Sequence, residues 1–419
     1  MRVLLVGSGG REHALALALK NSDAVSELVA APGNPGIAAV ARLVPVKADD
    51  VKGLVALAQR ERIDLVVVGP EVALAAGLSD ALRAARIACF GPNVAAARLE
   101  TSKAFTKALC EANNIPTAGY ATFTEAQPAF DFLTSLKPPY VIKADGLAAG
   151  KGVIIAQNLI EAKGAVLDLL NGQFGEAGRK IIVEEFLTGP ELSFFALCDG
   201  TSAHYFGSAQ DHKRAYDLDK GPNTGGMGAF SPSPLASPAL IETVMDTIIA
   251  PTLAAMTQSG TPFVGVLFAG LMLTEDGPKL IEYNVRFGDP ECQVLLARFE
   301  GDLARVLIAC AMGRLDKAPA FALSANSAAL VVLAAQGYPE SPVTGSEIRG
   351  ELRASQVEGG LLLHAGTTRD SEGKLRSAGG RVLNALGIGP DLETARTRAY
   401  QVAQAIDWPL SFYRSDIGA

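Results

Sequence analysis

The chain predicts a mixed α/β and α+β protein in three domains. These are an N-terminal parallel α/β domain over residues 1–101, an α+β domain over 102–325 and a small strand-rich α+β domain over 326–419. Three observations predict it. The length of 419 residues suits two to four domains at roughly 100–200 residues each. Up to about residue 100, continuous apolar runs alternate with helical periodicity, the pattern of strands buried on both faces of a parallel sheet. Beyond that point strands come in pairs joined by turns, and the chain past 325 is mostly strand with one closing helix.

Val3–Val6 is the first strand, turned by Gly7-Ser8-Gly9-Gly10 into a helix over Glu12–Lys20. Leu28–Ala31, Leu65–Val68 and Ile87–Phe90 are further strands, separated by helices over Val51–Glu61 and Ala73–Ala85. Right-handed crossovers then make one parallel sheet. Ser102 caps a helix that ends at Asn113-Asn114, ahead of Pro116. Tyr140–Lys143 and Val153–Ala156 form a hairpin around a glycine-rich stretch, and Ile181–Phe186 and Glu191–Cys198 are strands. A helix over Pro238–Ser259 precedes a hairpin of Val264–Leu273 with Lys279–Asn284. Ala328–Ala334, Gly360–Ala365, Gly380–Leu386 and a helix over Leu392–Ile406 complete the chain.

Composition removes several function classes. The net charge is −7, so a global positive field for nucleic acid is absent. Five cysteines, an odd number at wide spacing with no C-x-x-C pair, predict buried reduced thiols. The N-terminus lacks the long apolar core of a signal peptide, and no run reaches about 20 apolar residues. These features predict a cytoplasmic protein with no membrane partner. Glycine is in excess, 43 residues without a period, so its positions matter.

They fall at motifs. Gly7–Glu12 follows a strand and opens a helix, a place where backbone N–H groups meet an anion. Glu12 stands where a dinucleotide fingerprint has its last glycine. Lys143–Val153 is a low-profile flap with lysines at its ends, and Gly152 excludes a Walker loop, which needs Ser or Thr there. Glu184-Glu185-Phe186-Leu187 ends a strand ahead of Glu191. Glu282 and Asn284 share one strand face, with Arg286 again on it. Two oxygen ligands so placed suit Mg²⁺, which combines one or two protein ligands with phosphates. Gln210–Arg214 and Asn223–Ala229 lie in one helix-free stretch, predicted to be a substrate-binding loop. His212 there is expected to position a carboxylate or phosphate, and His13 to be structural or part of a subsite.

Lys103, Lys143, the glycine flap, Glu184–Leu187, Glu191 and Glu282-x-Asn284 occur in an order that resembles the ATP-grasp superfamily. Gly7–Ala14, Lys143–Val153, Gln210–Arg214, Gly221–Ala229 and Asn284–Glu291 sharpen this to the glycinamide ribonucleotide synthetase family, across essentially the whole chain. The resemblance implies a two-lobed ATP-grasp domain with a mobile lobe over about 118–190. It also implies ATP as co-substrate with Mg²⁺ or Mn²⁺, glycine and 5-phosphoribosylamine as small-molecule substrates, and a monomer or weak homo-oligomer. By motif it places ATP at Lys103, Lys143, Gly146, Gly150, Lys151, Gly152, Glu184, Glu185, Phe186, Leu187 and Glu191, and the metal at Glu282 and Asn284. Arg286, Asp211 and Lys213 become the catalytic group. Gly9, Gly10, Arg11, Glu12, His212, Arg214, Asn223, Thr224, Gly225, Gly226 and Asp289 take the substrates. Relatives often add a metal carboxylate on the strand before the hairpin, and Phe268–Leu273 has none. Another ATP-grasp ligase is an alternative reading. A dinucleotide oxidoreductase is a third, suggested by Gly7-x-Gly9 and opposed by Glu12.

Overall fold

The computed structural model describes residues 1–146, 152–173 and 175–419. Its first sheet is five-stranded and parallel, in the order Arg42–Leu43, Glu27–Pro32, Arg2–Gly7, Leu65–Val68, Ala88–Phe90. Val3, Leu4, Leu5 and Val6 are all fully buried, because elements cover both faces of the sheet. Arg2–Gly7 pairs with Glu27–Pro32 on one side and Leu65–Val68 on the other. The Gly7–Gly10 turn therefore sits at the carboxyl end of the strand where the order reverses, the place where open α/β sheets form a crevice. The helix expected over Ala73–Ala85 is two helices, Glu71–Ala75 and Leu78–Ala84. Gly77 between them takes φ +88, a left-handed conformation that stops the first helix.

A second, antiparallel sheet runs Tyr120–Phe123, Ile181–Glu185, Tyr140–Ala144, Val153–Ala156. The expected hairpin is present, with Lys143 opposite Val153. Gly150 and Lys151 lie outside the described residues. Ser102 caps the helix Lys103–Ala112 by accepting Phe105 N–H at 3.1 Å. Asp145, at the root of the flap, accepts Ala104 N–H at 3.0 Å and the Ser102 hydroxyl at 3.1 Å. One helix start thus ties the Lys103 segment to the strand that carries Lys143.

The main sheet runs Gly277–Asn284, Val264–Thr274, Glu191–Asp199, Ala203–Asp211, Gly228–Ser231, Ser327–Ala335, Arg381–Gly389, Gly360–His364. It continues across residue 325 without a break. Ser327–Ala335 is buried at all nine residues and pairs with Gly228–Ser231 on one side and Arg381–Gly389 on the other, so neither neighbour is left as an open edge. The helix-free stretch predicted as a loop contains a two-stranded ribbon instead, Arg214–Tyr216 with Lys220–Asn223. Backbone pairing satisfies polar groups that a bare loop would leave to water.

Pro238–Gln258 is long and apolar enough to cross a membrane by length and composition, which the sequence reading missed. Val244, Ile248, Ile249, Leu253 and Met256 of this helix instead pack in one cluster with Leu192, Phe194 and Leu267, and Thr252 Oγ1 meets the Tyr283 hydroxyl at 2.6 Å. All five cysteines are free and buried, as expected.

The first and last thirds of the chain meet at His13. His364 N–H donates to His13 Nδ1 at 2.8 Å, and Asn34 Nδ2 donates to the carbonyls of Ser8 at 2.8 Å and His364 at 2.9 Å. Burial lowers His13 to about 3, with the His364 ring beside it adding to the shift, and lowers His364 to about 4, where Glu351 pulls up and Arg369 pulls down. Both rings are therefore neutral when folded, whereas in the unfolded chain they take a proton below about pH 6.5. Their stabilisation is complete above that pH and is lost as the pH falls towards the folded values. At pH 5 the loss is about 2 kcal/mol per ring. The stability advantage of the wild-type chain over His13→Gln, measured by denaturant titration, should shrink between pH 7.5 and pH 5. A constant difference would contradict the neutral ring.

Candidate active site

Lys143 extends from the strand Tyr140–Ala144 and is buried. Its Nζ lies 2.9 Å from Glu184 Oε2 on the neighbouring strand, and Lys107 Nζ reaches the same oxygen at 3.3 Å. Glu184 Oε1 is buried with no hydrogen-bond partner among the described residues. A buried acceptor left unpaired is costly unless a ligand completes it. Glu184 shares one pocket with Lys103, Lys107, Ile281 and Glu282. Glu185 turns away, its carboxylate accepting Gly119 N–H at 3.0 Å. Phe186 is exposed and Leu187 half-buried where the strand ends. Gly146 adopts φ +154 at the start of the flap, and the Gly152 carbonyl closes its base by accepting Ala144 N–H at 2.8 Å.

Glu282 and Asn284 are half-buried, while Tyr283 and Val285 between and after them are buried. The alternation confirms that the two share one face. Gly270 is paired opposite Glu282, and Phe268 opposite Asn284, so the partner strand offers this face no carboxylate. Burial pushes the Glu282 carboxyl up, but Lys103, Lys213, Lys143 and Arg286 outweigh it and hold it below its ordinary value. An ionised carboxylate beside an amide oxygen fits a hard divalent cation that takes its remaining ligands from phosphates and water.

Arg286 is clamped. Its Nε lies 3.2 Å from Glu71 Oε2, and its Nη2 lies 3.1 Å from Glu100 Oε1. Glu100 also accepts Val285 N–H at 2.8 Å. Burial raises the Glu100 carboxyl, against the pull of Arg286.

Lys213 Nζ meets Glu191 Oε2 at 2.5 Å. Loss of water opposes the Lys213 charge, yet Asp211, Glu191 and Glu282 outweigh it and raise the ammonium. Burial raises the Asp211 carboxyl, with Lys213 opposing. The structure therefore gathers Asp211, Lys213, Glu191 and Glu282. Thr224 N–H and its hydroxyl both donate to the Lys213 carbonyl at 2.8 Å, and Gly226 N–H donates to Thr224 Oγ1 at 3.0 Å. Arg214, paired in register with Asn223, is used inside the ribbon, where Nη1 donates to the Gly221 carbonyl at 2.9 Å. His212 departs from the sequence reading at one ring nitrogen: its Nε2 accepts Gly418 N–H at 3.2 Å, so the ring is tied to the backbone there.

Glu12 is a second correction. It is 2% exposed and was expected to hold a substrate group. One carboxylate oxygen accepts Gly9 N–H at 2.5 Å, and the other takes Arg11 Nε at 2.7 Å. A Cβ on Gly7, Gly9 or Gly69 would come within 2.0–2.8 Å of the Glu12 side chain. The carboxylate thus fills the space against the turn and shapes it, and it stands where a dinucleotide fingerprint has its last glycine. Arg11, also buried, donates from Nη1 to the Phe287 carbonyl at 2.9 Å. Gly10 lies against Asn384, whose Nδ2 would be 2.0 Å from a Cβ there. Asp289 faces Gly9, its Oδ2 being 3.3 Å from where a Cβ would stand. Asp289 also accepts Gln293 Nε2 at 2.8 Å.

Sequence reasoning missed Lys107, Glu71, Glu100 and Arg381. Lys107 had a readable signal, since it is four residues after Lys103 and so on the same helix face. Glu71 follows Gly69-Pro70 at the carboxyl end of a parallel strand, where ligand-side residues collect. Glu100 carried no local signal.

Against this geometry stand the comparisons with known proteins. Family models for phosphoribosylglycinamide synthetase match residues 1–100 (N domain), 101–292 (ATP-grasp (A) domain) and 328–419 (C domain). The phosphoribosylamine–glycine ligase of Caulobacter vibrioides is 54% identical over 418 residues, covering 100% of this chain and 98% of its own. The chloroplastic enzyme of that name from Arabidopsis thaliana is 51% identical over 415 residues, 97% of this chain and 78% of its own. The crystal structure of the Thermotoga maritima phosphoribosylamine–glycine ligase superposes with a TM-score of 0.85 at 33% identity, covering 100% of both chains. A biotin carboxylase–β-γ-ATP complex from Campylobacter jejuni shares the fold at 13% identity, TM-score 0.76, over 98% of this chain and 93% of its own. By these full-length matches the chain belongs to the phosphoribosylglycinamide synthetase family.

Proposed function

We propose that the chain joins glycine to 5-phosphoribosylamine with ATP, giving glycinamide ribonucleotide, ADP and phosphate, as the step of purine biosynthesis named for its relatives. One observation carries this reading beyond the family match. Glu282 stands in the field of Lys103, Lys143, Lys213 and Arg286, cations from four separate segments, as transfer of a charged phosphoryl group requires.

A carboxylate does not acylate an amine unaided, because oxide is a poor leaving group. In the proposed path a glycine carboxylate oxygen attacks the γ-phosphorus of ATP and ADP leaves, forming glycyl phosphate. The ribosylamine nitrogen then attacks the carbonyl carbon, the C–O bond to phosphate breaks, and the nitrogen gives up a proton. Lys103 and Lys143 hold phosphate oxygens, the flap Gly146–Gly152 covers them, and Glu184–Leu187 with Glu191 frame adenosine. Glu282 and Asn284 would hold Mg²⁺ or Mn²⁺, which neutralises phosphate oxygens when bound. Arg286, kept in place by Glu71 and Glu100, steadies the acyl phosphate, and Asp211 with Lys213 manages charge and proton on the acceptor side. Gly9, Gly10 and Asp289 form the sugar-phosphate subsite, with Arg11 and Glu12 shaping it. Asn223, Thr224, Gly225 and Gly226 line the acceptor loop. The five buried free thiols suit the reducing cytoplasm.

A substrate panel tests the reading. ADP release should require glycine and phosphoribosylamine together, and robust release with bicarbonate in place of glycine would overturn it. Glu282→Ala should abolish turnover while leaving the thermal midpoint within a few degrees of wild type. Wild-type-like turnover would remove the metal role. Lys143→Ala should raise the ATP KM roughly tenfold or more, the size of a lost charge-assisted hydrogen bond. An unchanged nucleotide KM would exclude its phosphate contact.

A further inference from the structure

Arg381 begins the strand Arg381–Gly389, far in sequence from every residue assigned above. Its Nη1 donates to the carbonyls of Gly225 at 2.6 Å, Gly226 at 3.3 Å and Asp289 at 2.6 Å. Its Nη2 lies 3.4 Å from Asp289 Oδ2. Gly225 is held from its amide end as well, because its N–H donates to the Tyr338 hydroxyl at 3.2 Å. Tyr338 is in turn seated on Gly380, where a Cβ would come within 2.3 Å of its ring. The two acceptor-side loops also touch directly. Gly226 takes φ +111, and a Cβ there would be 2.5 Å from Pro290 Cδ. Asp289, held by Arg381, is the residue that faces Gly9.

We infer that Arg381 is a positioning residue for the ribosylamine side of the site, locking the Gly225-Gly226 loop and the Asp289 loop into one surface against the Gly9 turn. The inference rests on the function proposed above. The physical case is geometric. Arg381 meets both loops chiefly through backbone carbonyls, with Asp289 Oδ2 as a side-chain contact, so one guanidinium references the two loops to each other. A planar guanidinium presents several donors in a fixed fork, which one ammonium cannot reproduce. A misplacement of about 1 Å in a substrate-positioning group costs roughly a hundredfold in rate. None of these bonds reaches Lys143 or the pocket of Lys103, Lys107 and Glu184, so the nucleotide side is independent of them.

The test uses the full chain, with phosphoribosylamine generated in the assay from ribose 5-phosphate and ammonia. Arg381→Gln should raise the phosphoribosylamine KM at least tenfold, with the ATP KM within twofold of wild type. Arg381→Lys, which keeps the charge and the stem if the glutamine variant does not fold, should raise the same KM at least threefold and again spare ATP. Equal losses for ATP and phosphoribosylamine, or an unchanged phosphoribosylamine KM in a folded variant, would overturn the inference. A wild-type chain that makes no glycinamide ribonucleotide would instead defeat the proposed function and is seen before any variant is compared.

Discussion

Arg286 held between Glu71 and Glu100 is the contact on which the rest of the site depends. Glu71 opens the helix after the strand Leu65–Val68, Glu100 ends the helix Val94–Thr101, and Arg286 follows the strand that presents Glu282 and Asn284. Three segments distant in sequence are thus referenced to one guanidinium. Glu100 is buried and Arg286 largely so, whereas Glu71 is partly exposed, so removing Glu100 would leave the more costly unpaired charge. The pair therefore acts less as net stabilisation than as a fixed register between the parallel sheet and the main sheet. Glu100 reinforces it by also accepting Val285 N–H, so the backbone just past Asn284 is held by the same carboxylate.

A second constraint follows. The site concentrates cations around Glu282, and lysines so close repel one another unless anions stand between them. Glu184 performs this for Lys143 and Lys107, and Glu191 with Asp211 performs it for Lys213. Lys107 is satisfied entirely by protein, with Thr117 Oγ1 at 2.7 Å and the Ala118 carbonyl at 3.3 Å besides Glu184. In the proposed function it remains the counter-ion of Glu184 while Lys143 holds a phosphate. The continuous sheet serves the same end. Gly228–Ser231 lies between Ala203–Asp211, which ends at Asp211, and Ser327–Ala335, so the acceptor loops are borne on rigid strands.

Much of this was legible in the sequence. The parallel sheet was readable because strands buried on both faces leave unbroken apolar runs such as Leu65–Val68. The Glu282–Asn284 face was readable because strand periodicity is two. The ribbon at 214–223 was not, since its two short strands are polar and pair only with each other. Gly77 broke a helix that apolar periodicity ran through. His212 and Glu12 misled for one reason. A polar residue in a glycine-rich motif reads as a ligand contact, and only the fold shows that its partner is the protein's own backbone. The roles of Glu100 and Arg381 were not readable because they lie in contacts 185 residues and 156 residues away along the chain.

The proposed function turns on one centre that activates glycine as an acyl phosphate, which the amine then attacks. Turnover with glycine labelled by ¹⁸O in both carboxylate oxygens, followed by mass analysis of the released phosphate, tests it most directly. The account predicts one labelled oxygen in each phosphate and one retained in the amide product. Phosphate free of label would contradict it.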